Sequence, residues 1–221
     1  MAIIKDSPVL RQYVAALRAL LVLTVVTGVV YPLTLTGVAL VVLPGNAGGS
    51  LVQHGGRTVG SDLIGQGFTR PVVKDGSIEK DAAGNPVMEA DPRYFQSRPS
   101  AAGSGYDPLA TSASNLGPNN RDLVAAVRQR RKVVAGLDGV SPGQVPPDAL
   151  LASGSGLDPD ISPAYARLQV PRVARRRGLS RREVAALVTE HIQGRTLGFL
   201  GEPRVNVLLL NLALDRASRG R

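Results

Sequence analysis

The chain has no cysteine and no tryptophan, only two histidines (His54 and His191), and four lysines against a Lys+Arg total of 26. Each shortage excludes something. Without cysteine there are no disulfides and no thiolate metal sites, and the redox compartment stays undetermined. Two distant histidines rule out a histidine-rich metal centre and give a Ser-His-Asp triad no matching spacing. No Gly-Lys pair occurs anywhere, so the phosphate-cradling lysine of a P-loop is missing. From 94 to 120 long apolar runs and apolar periodicity are absent as well.

What is present is mostly arginine and small residues. The net charge of +9 over 221 residues points first to acidic partners, although so one-sided an arginine surplus also reads as compositional bias. The length allows one ordinary domain with an appendage, or two very small domains. Glycine and proline, 25 and 16 residues, concentrate between positions 44 and 160 and indicate a turn-rich region there.

One segment stands apart. Residues 19–43, ALLVLTVVTGVVYPLTLTGVALVVL, carry no charge over 25 positions. As a helix this run spans roughly 37 Å, enough to cross a hydrocarbon core about 30 Å thick with some tilt. Gly28 and Pro32 are costly in a soluble helix but tolerated in a transmembrane one. Thr24, Thr27, Thr34 and Thr36 can hydrogen-bond back to the helix or across to a partner helix. Gly45-Asn46-Ala47 offers a small-x-small cleavage site, but the apolar run is longer than a signal peptide needs. A single-pass anchor is the expectation. Lys5, Arg11 and Arg18 precede the span and the next basic residue after it is Arg57. Positive residues stay cytoplasmic, so residues 1–18 are expected inside and residues 44–221 outside.

The rest reads as α+β, with short strands first and helices later. Residues 46–73 hold short apolar pieces between glycines, the pattern of strands and tight turns. Residues 74–93 read as an exposed loop or hairpin. Residues 94–120 read as an ordered irregular loop anchored by Tyr94, Phe95 and Tyr106. Asn120 caps a helix closed by Gly136 or Gly139, with Leu123, Val124, Val127 and Val134 as its apolar stripe and Arg128, Arg130, Arg131 and Lys132 left to solvent or partners. Pro147-Asp148 opens a short helical turn. Ser162-Pro163 starts another helix, which Pro171 is expected to interrupt. Ser180 and Glu183 form a capping box for a helix that carries Val184, Leu187, Val188 and His191 on one face. The tail from Arg204 begins as a strand, or is a helix capped by Asn206; its leucines favour helix.

Residues 153–166, SGSGLDPDISPAYA, invite a catalytic reading that fails at named positions. A calcium loop starting at Asp158 places Asp160 and Ser162 correctly, then meets Pro163 where glycine is needed and Gln169 where glutamate is needed. The G-x-S-x-G frame of a nucleophile elbow is missing. Turn and N-cap chemistry accounts for the segment locally. The cluster Arg172, Arg175, Arg176, Arg177, Arg181 and Arg182 superficially resembles a helix-turn-helix reader, so a membrane-tethered nucleic-acid-binding or regulatory protein is the second reading. No aromatic residue interleaves the cluster for base stacking, and the orientation keeps it from DNA. An exported enzyme released by signal cleavage is the third.

Several long fragments, in order, are similar to one family: GSLV (49–52), GSDLIGQGFT (60–69), YFQSRPSAAGSGYDPLATSASNLGP (94–118), VPPDALLASGSGLDPDISPAYARLQVPRVARRRGLS (145–180) and GRTLGFLGEPRVNVLLLNLALD (194–215). They resemble the C subunit (KdpC family) of the bacterial Kdp-type potassium-transporting ATPase, with residues 74–90 as an extra polar insertion. The resemblance implies a non-catalytic subunit of a pump in the cell membrane. Its partners would be an ATP-hydrolysing subunit, a potassium-binding channel-like subunit and a small accessory membrane subunit, with no nucleic acid. The chain lacks the D-K-T-G phosphorylation motif of P-type ATPases. The family is described as an assembly factor and as a catalytic chaperone raising nucleotide affinity. Topology favours assembly, stabilisation or a cap over the potassium entrance, and leaves the nucleotide role open. No catalytic residue, metal or cofactor of its own is assigned; ATP enters through the complex. Arg98, Asp107, Asn115, Asp158, Asp160 and Arg172 are the candidate partner contacts.

Overall fold

The computed structural model describes residues 8–219, so Lys5, one of the charges used for orientation, lies outside the described residues. The chain divides into two compact units, residues 8–51 and residues 52–219.

The first unit is almost all helix. α1 (Pro8–Val25), a five-residue π-helical segment (Val26–Val30) and α2 (Tyr31–Val42) run on as one helix of 35 residues. Among the described residues it is the one helix long and apolar enough to cross a membrane. None of its residues is buried, and its valines and leucines are exposed. The described helix already includes Pro8, well before the uncharged run, so Arg11 and Arg18 lie on it. The π segment sits just before Pro32, where the missing proline N–H breaks the regular ladder; the Tyr31 N–H reaches back five residues to the Val26 carbonyl instead. Thr27, Thr34 and Thr36 donate their hydroxyls to the carbonyls four residues earlier at 2.7–2.8 Å. A short turn of helix, α3 (Pro44–Ala47), follows.

In the second unit the expected order holds: short strands, then helices. β1 (Leu51–His54) pairs with β2 (Arg57–Ser61) across Gly55 and Gly56, both in the left-handed region that this tight turn demands. β3 (Thr69–Pro71) pairs antiparallel with β6 (Met88–Ala90), and the hairpin β4 (Val73–Lys74) to β5 (Ser77–Ile78) lies between them in sequence. Residues 91–120 contain no helix or strand.

α4 (Arg121–Asp138) starts at Asn120, whose side chain accepts from the N–H groups of Asp122 and Leu123, and stops at left-handed Gly139. Gly136 stays inside the helix. A 3-10 turn at Pro147–Ala149 precedes β7 (Asp160–Ile161). α5 (Pro163–Arg177) begins at the Ser162 cap and runs straight through Pro171 to Gly178. The expected interruption does not occur, because Val170, Arg172, Val173 and Ala174 around the proline are all buried and tertiary packing holds the helix on course. The capping box of Ser180 and Glu183 opens α6 (Arg181–Glu190), which ends before His191; that ring lies next to the Leu187 carbonyl at 2.8 Å. β8 (Ile192–Gln193) follows. The tail resolves both expectations at once: β9 (Arg204–Asn206) is a strand, and α7 (Val207–Arg219) starts directly from it, with the Asn206 carboxamide accepting from Leu209 N–H at 3.1 Å.

β9 is the middle strand of a three-stranded antiparallel sheet, Ile161 and Ile192 both facing Val205 in register. Helices and sheet enclose one core around Phe95, Tyr165, Val173, Val184, Val188, Val205, Leu210 and Leu214, each at most 2% exposed.

Candidate functional site

The irregular stretch 91–118 is ordered because the helices grip its backbone with side-chain amides. Gln169 of α5 accepts from the Gln96 N–H (2.7 Å) and donates to the Gln96 carbonyl (3.1 Å). Asn211 of α7 does the same for Phe95, at 2.9 and 3.0 Å. Two primary amides thus stand in for a neighbouring strand, satisfying backbone groups that burial would otherwise leave unpaired. Phe95, fully buried, is the apolar anchor between them.

Arg172 lies beneath this clamp, 1% exposed. Its guanidinium donates to Asp138 (2.7 Å), to the carbonyls of Pro92 and Tyr94 (2.8 Å each) and to Gln169 (2.6 Å). Burial pushes the Asp138 carboxyl above its ordinary range, against the pull of the adjacent guanidinium. The expectation that Arg172 faces a partner is therefore corrected: all its donor directions but one are spent inside the fold, tying α4, α5 and the 92–96 backbone together. Arg130, expected at the surface, likewise donates to the Leu150 carbonyl at 2.9 Å. Arg177 stacks over the Tyr94 ring at 4.3 Å, pairs with Asp215 at 2.7 Å and donates to the Arg93 carbonyl. Arg93 in turn pairs with Asp91, whose carboxyl it holds below the ordinary value near 3.8.

The glycine-rich stretch 153–158 is zipped to the same loop. Ser100 donates to the Gly156 carbonyl (2.6 Å), Thr111 donates through its hydroxyl and Ser112 through its N–H to the Ser155 carbonyl (2.7 and 3.1 Å). The Gly65 N–H reaches the Leu157 carbonyl from the other side. Contact is close enough that glycine is required: a Cβ on Gly156, at φ +71°, would lie 2.7 Å from both Ala102 N and the Ser112 carbonyl. Arg98 spans the seam, pairing with Asp158 at 2.7 Å with both side chains about a quarter exposed. The Tyr106 hydroxyl donates to the Arg98 carbonyl, and its burial pushes its ionisation up to about 12.

Three of the sequence-selected residues thus converge. Arg98, Asp158 and Asp160 line an open cleft of about 320 Å³ together with Asp148, Ser162, Glu202 and Arg204. Asp160, raised in pKa mainly by burial and next by Asp158, pairs with Arg204 at 3.0 Å. Asp148 accepts from both the N–H and the hydroxyl of Ser162, while that hydroxyl also accepts from Tyr165 N–H. Ser162 is thereby held as a cap, with its proton donated to a carboxylate that is fixed in place. Asp107 caps a turn through Leu109 N–H on the same loop, and Asn115 stands exposed at φ +51°. Neither joins the cleft. Among the described residues no group of three or more His, Asp or Glu side chains is arranged to hold a metal ion.

Gln96, Asp138, Gln169 and Asn211 were not singled out from the sequence. Their partners lie far off in the chain, and a lone amide in an amphipathic helix gives no sign of the backbone it will meet.

These features define a class: a small α+β domain carried behind one apolar helix, with its polar interior spent on fixing a long loop at the surface. The family model described as "K+-transporting ATPase, c chain" matches residues 13–216. A potassium-transporting ATPase KdpC subunit of Kineococcus radiotolerans is 53% identical over 209 residues, 95% of each chain. Its counterpart in Streptomyces coelicolor is 47% identical over 216 residues, 92% of each chain. That of Mycobacterium tuberculosis is 46% identical over 207 residues, covering 93% of this chain and 98% of the relative. The chain belongs to the KdpC family of potassium-transporting ATPase subunits. The nucleic-acid reading of Arg172 to Arg182 finds no support in these similarities, and its first arginine is interior.

Proposed function

We propose that the chain is a non-catalytic accessory subunit that assembles and stabilises the potassium pump. The single observation that carries this reading is the family match over residues 13–216, which takes in the apolar helix and nearly all of the domain behind it. The apolar helix is the anchor, with its N-terminus in the cytoplasm and residues 44–221 outside, in line with Arg11 and Arg18 before the uncharged run. The potassium-binding channel-like subunit and the ATP-hydrolysing subunit are the partners, joined by a small membrane subunit. ATP belongs to that complex. An extracytoplasmic domain meets the channel-like partner at its outer face, and the loop carrying Arg98, Asp107 and Asn115 is the surface offered to it, with Asp158 and Asp160 at its edge.

Arg98 and Asp158 also hold that loop in shape, so substituting them mixes folding with contact. Asn115, exposed and free of that seam, is the cleaner probe. Asn115→Arg should lower the amount of complex recovered in detergent while costing the isolated chain only about 1 kcal/mol of unfolding stability, the strain of arginine at a positive φ. Full recovery with Asn115→Arg and with Asp107→Ala would remove the loop from the interface. A topology reporter at the C-terminus, active only in its cytoplasmic form, would overturn the orientation.

A further inference from the structure

Three arginines close α5, one of them Arg177, and two open α6. Arg175, Arg176, Arg181 and Arg182 are all exposed, and none forms an ion pair among the described residues. They crowd around the three-residue corner Gly178-Leu179-Ser180, where Leu179 is buried and the Ser180 capping box fixes the turn. Local helix stability explains only half of them. Arg175 and Arg176 at the C-terminus of α5 suit the helix dipole, but Arg181 and Arg182 sit in the first turn of α6, the end that repels cations. The other arginines of this region are spent on the fold: Arg172 on Asp138, Arg177 on Asp215. A rigid corner is left with four positive charges that the fold itself does not use.

The apolar helix ends at Val42 and the domain begins at Val52. Even fully extended, residues 43–51 span no more than about 30 Å, and α3 shortens that reach. The domain is therefore tethered close to the bilayer that holds the helix, at high effective concentration toward its surface. We propose that this arginine corner docks on anionic phospholipid headgroups of that bilayer. Guanidinium groups pair with phosphate in two-pronged fashion, each basic residue near such a surface adds attraction, and the pull fades within a Debye length. The docking rests on the reading of α1 to α2 as a membrane anchor, in either orientation.

The absence of native cysteine allows one label. Ala185, exposed on α6 and one turn from Arg181 and Arg182, is changed to cysteine in the full chain and labelled with a fluorophore. The chain is reconstituted in nanodiscs of phosphatidylcholine alone, or with phosphatidylglycerol added, each containing a headgroup-quencher lipid. Co-elution of chain and disc in both lipids reports the anchor by itself. Quenching should rise severalfold with phosphatidylglycerol, fall as salt screens it, and drop to the phosphatidylcholine level in R175Q/R176Q/R181Q/R182Q. Removing two positive charges from α4 instead, with R128Q/R131Q, should leave it unchanged. Equal quenching in the two lipids, or a quadruple variant that quenches like the parent, would overturn the proposal; so would quenching that the α4 pair removes. A corner made for an acidic protein or a nucleic acid predicts the first of these results, because neither is present in the discs.

Discussion

Arg172 brings a permanent charge into an interior where only Asp138 balances it, both side chains being at most 1% exposed. Removing one partner of such a pair leaves the other charged and desolvated, at a cost of about 3–5 kcal/mol. Arg172→Leu is therefore expected to lower unfolding stability by that amount in urea titrations, and R172M with D138L to recover only part of it. The remainder reflects the carbonyls of Pro92 and Tyr94, which lose their donors in either variant. Asp91 gives a pH signature of opposite origin. Arg93 beside it holds its carboxyl below the ordinary value near 3.8, so its contribution is fully present above that pH and is lost as pH falls through the lower folded value. The stability difference between parent and Asp91→Asn should accordingly shrink below about pH 4 and be flat above it. A difference that instead grows on acidification would contradict the ion pair.

At the scale of elements, local signals and tertiary contacts divide the fold between them. Caps were legible because each needs only neighbours within four residues: Asn120, Ser162 and Ser180 all start helices where their sequence says so. Pro171 was misread because a proline's cost is local while the burial that outweighs it comes from other elements. Pro171→Ala should thus raise stability by about 1–2 kcal/mol, the helix gain less the stiffness lost from the unfolded chain. A lower melting temperature would show that the ring packs where alanine cannot. Within the candidate site the irregular character of 94–118 and its aromatic anchors were readable. The amide clamps were not, since nothing near Gln169 or Asn211 announces Gln96 or Phe95. Glycine in 153–158 was readable as a turn, but its reason is a neighbour more than forty residues away. Gly156→Ala, facing two backbone atoms at 2.7 Å with a positive φ, should cost roughly 1–3 kcal/mol and speed hydrogen exchange at Ser112, whose N–H bonds to the Ser155 carbonyl. Unchanged protection there would mean that the two loops are not fastened at this seam.

The whole molecule joins one exposed apolar helix to one domain whose buried polar side chains are committed to its own architecture. The long uncharged run made the apolar helix readable at once, because length and lack of charge suffice for it. The partner surface is harder, since exposed loops and arginines look alike whether they meet water, lipid or protein. Arg172 illustrates this: grouped by sequence with a basic cluster, it is buried by the fold. The role proposed for this chain is support of potassium-pump assembly. The most direct measurement is purification of the complex through a tagged potassium-binding subunit, from cells with and without this chain, followed by potassium-stimulated ATPase assays. Without the chain, recovery of the ATP-hydrolysing subunit and the stimulated activity should both fall severalfold, and both should return when the chain is supplied. Full recovery and full activity in its absence would rule that role out.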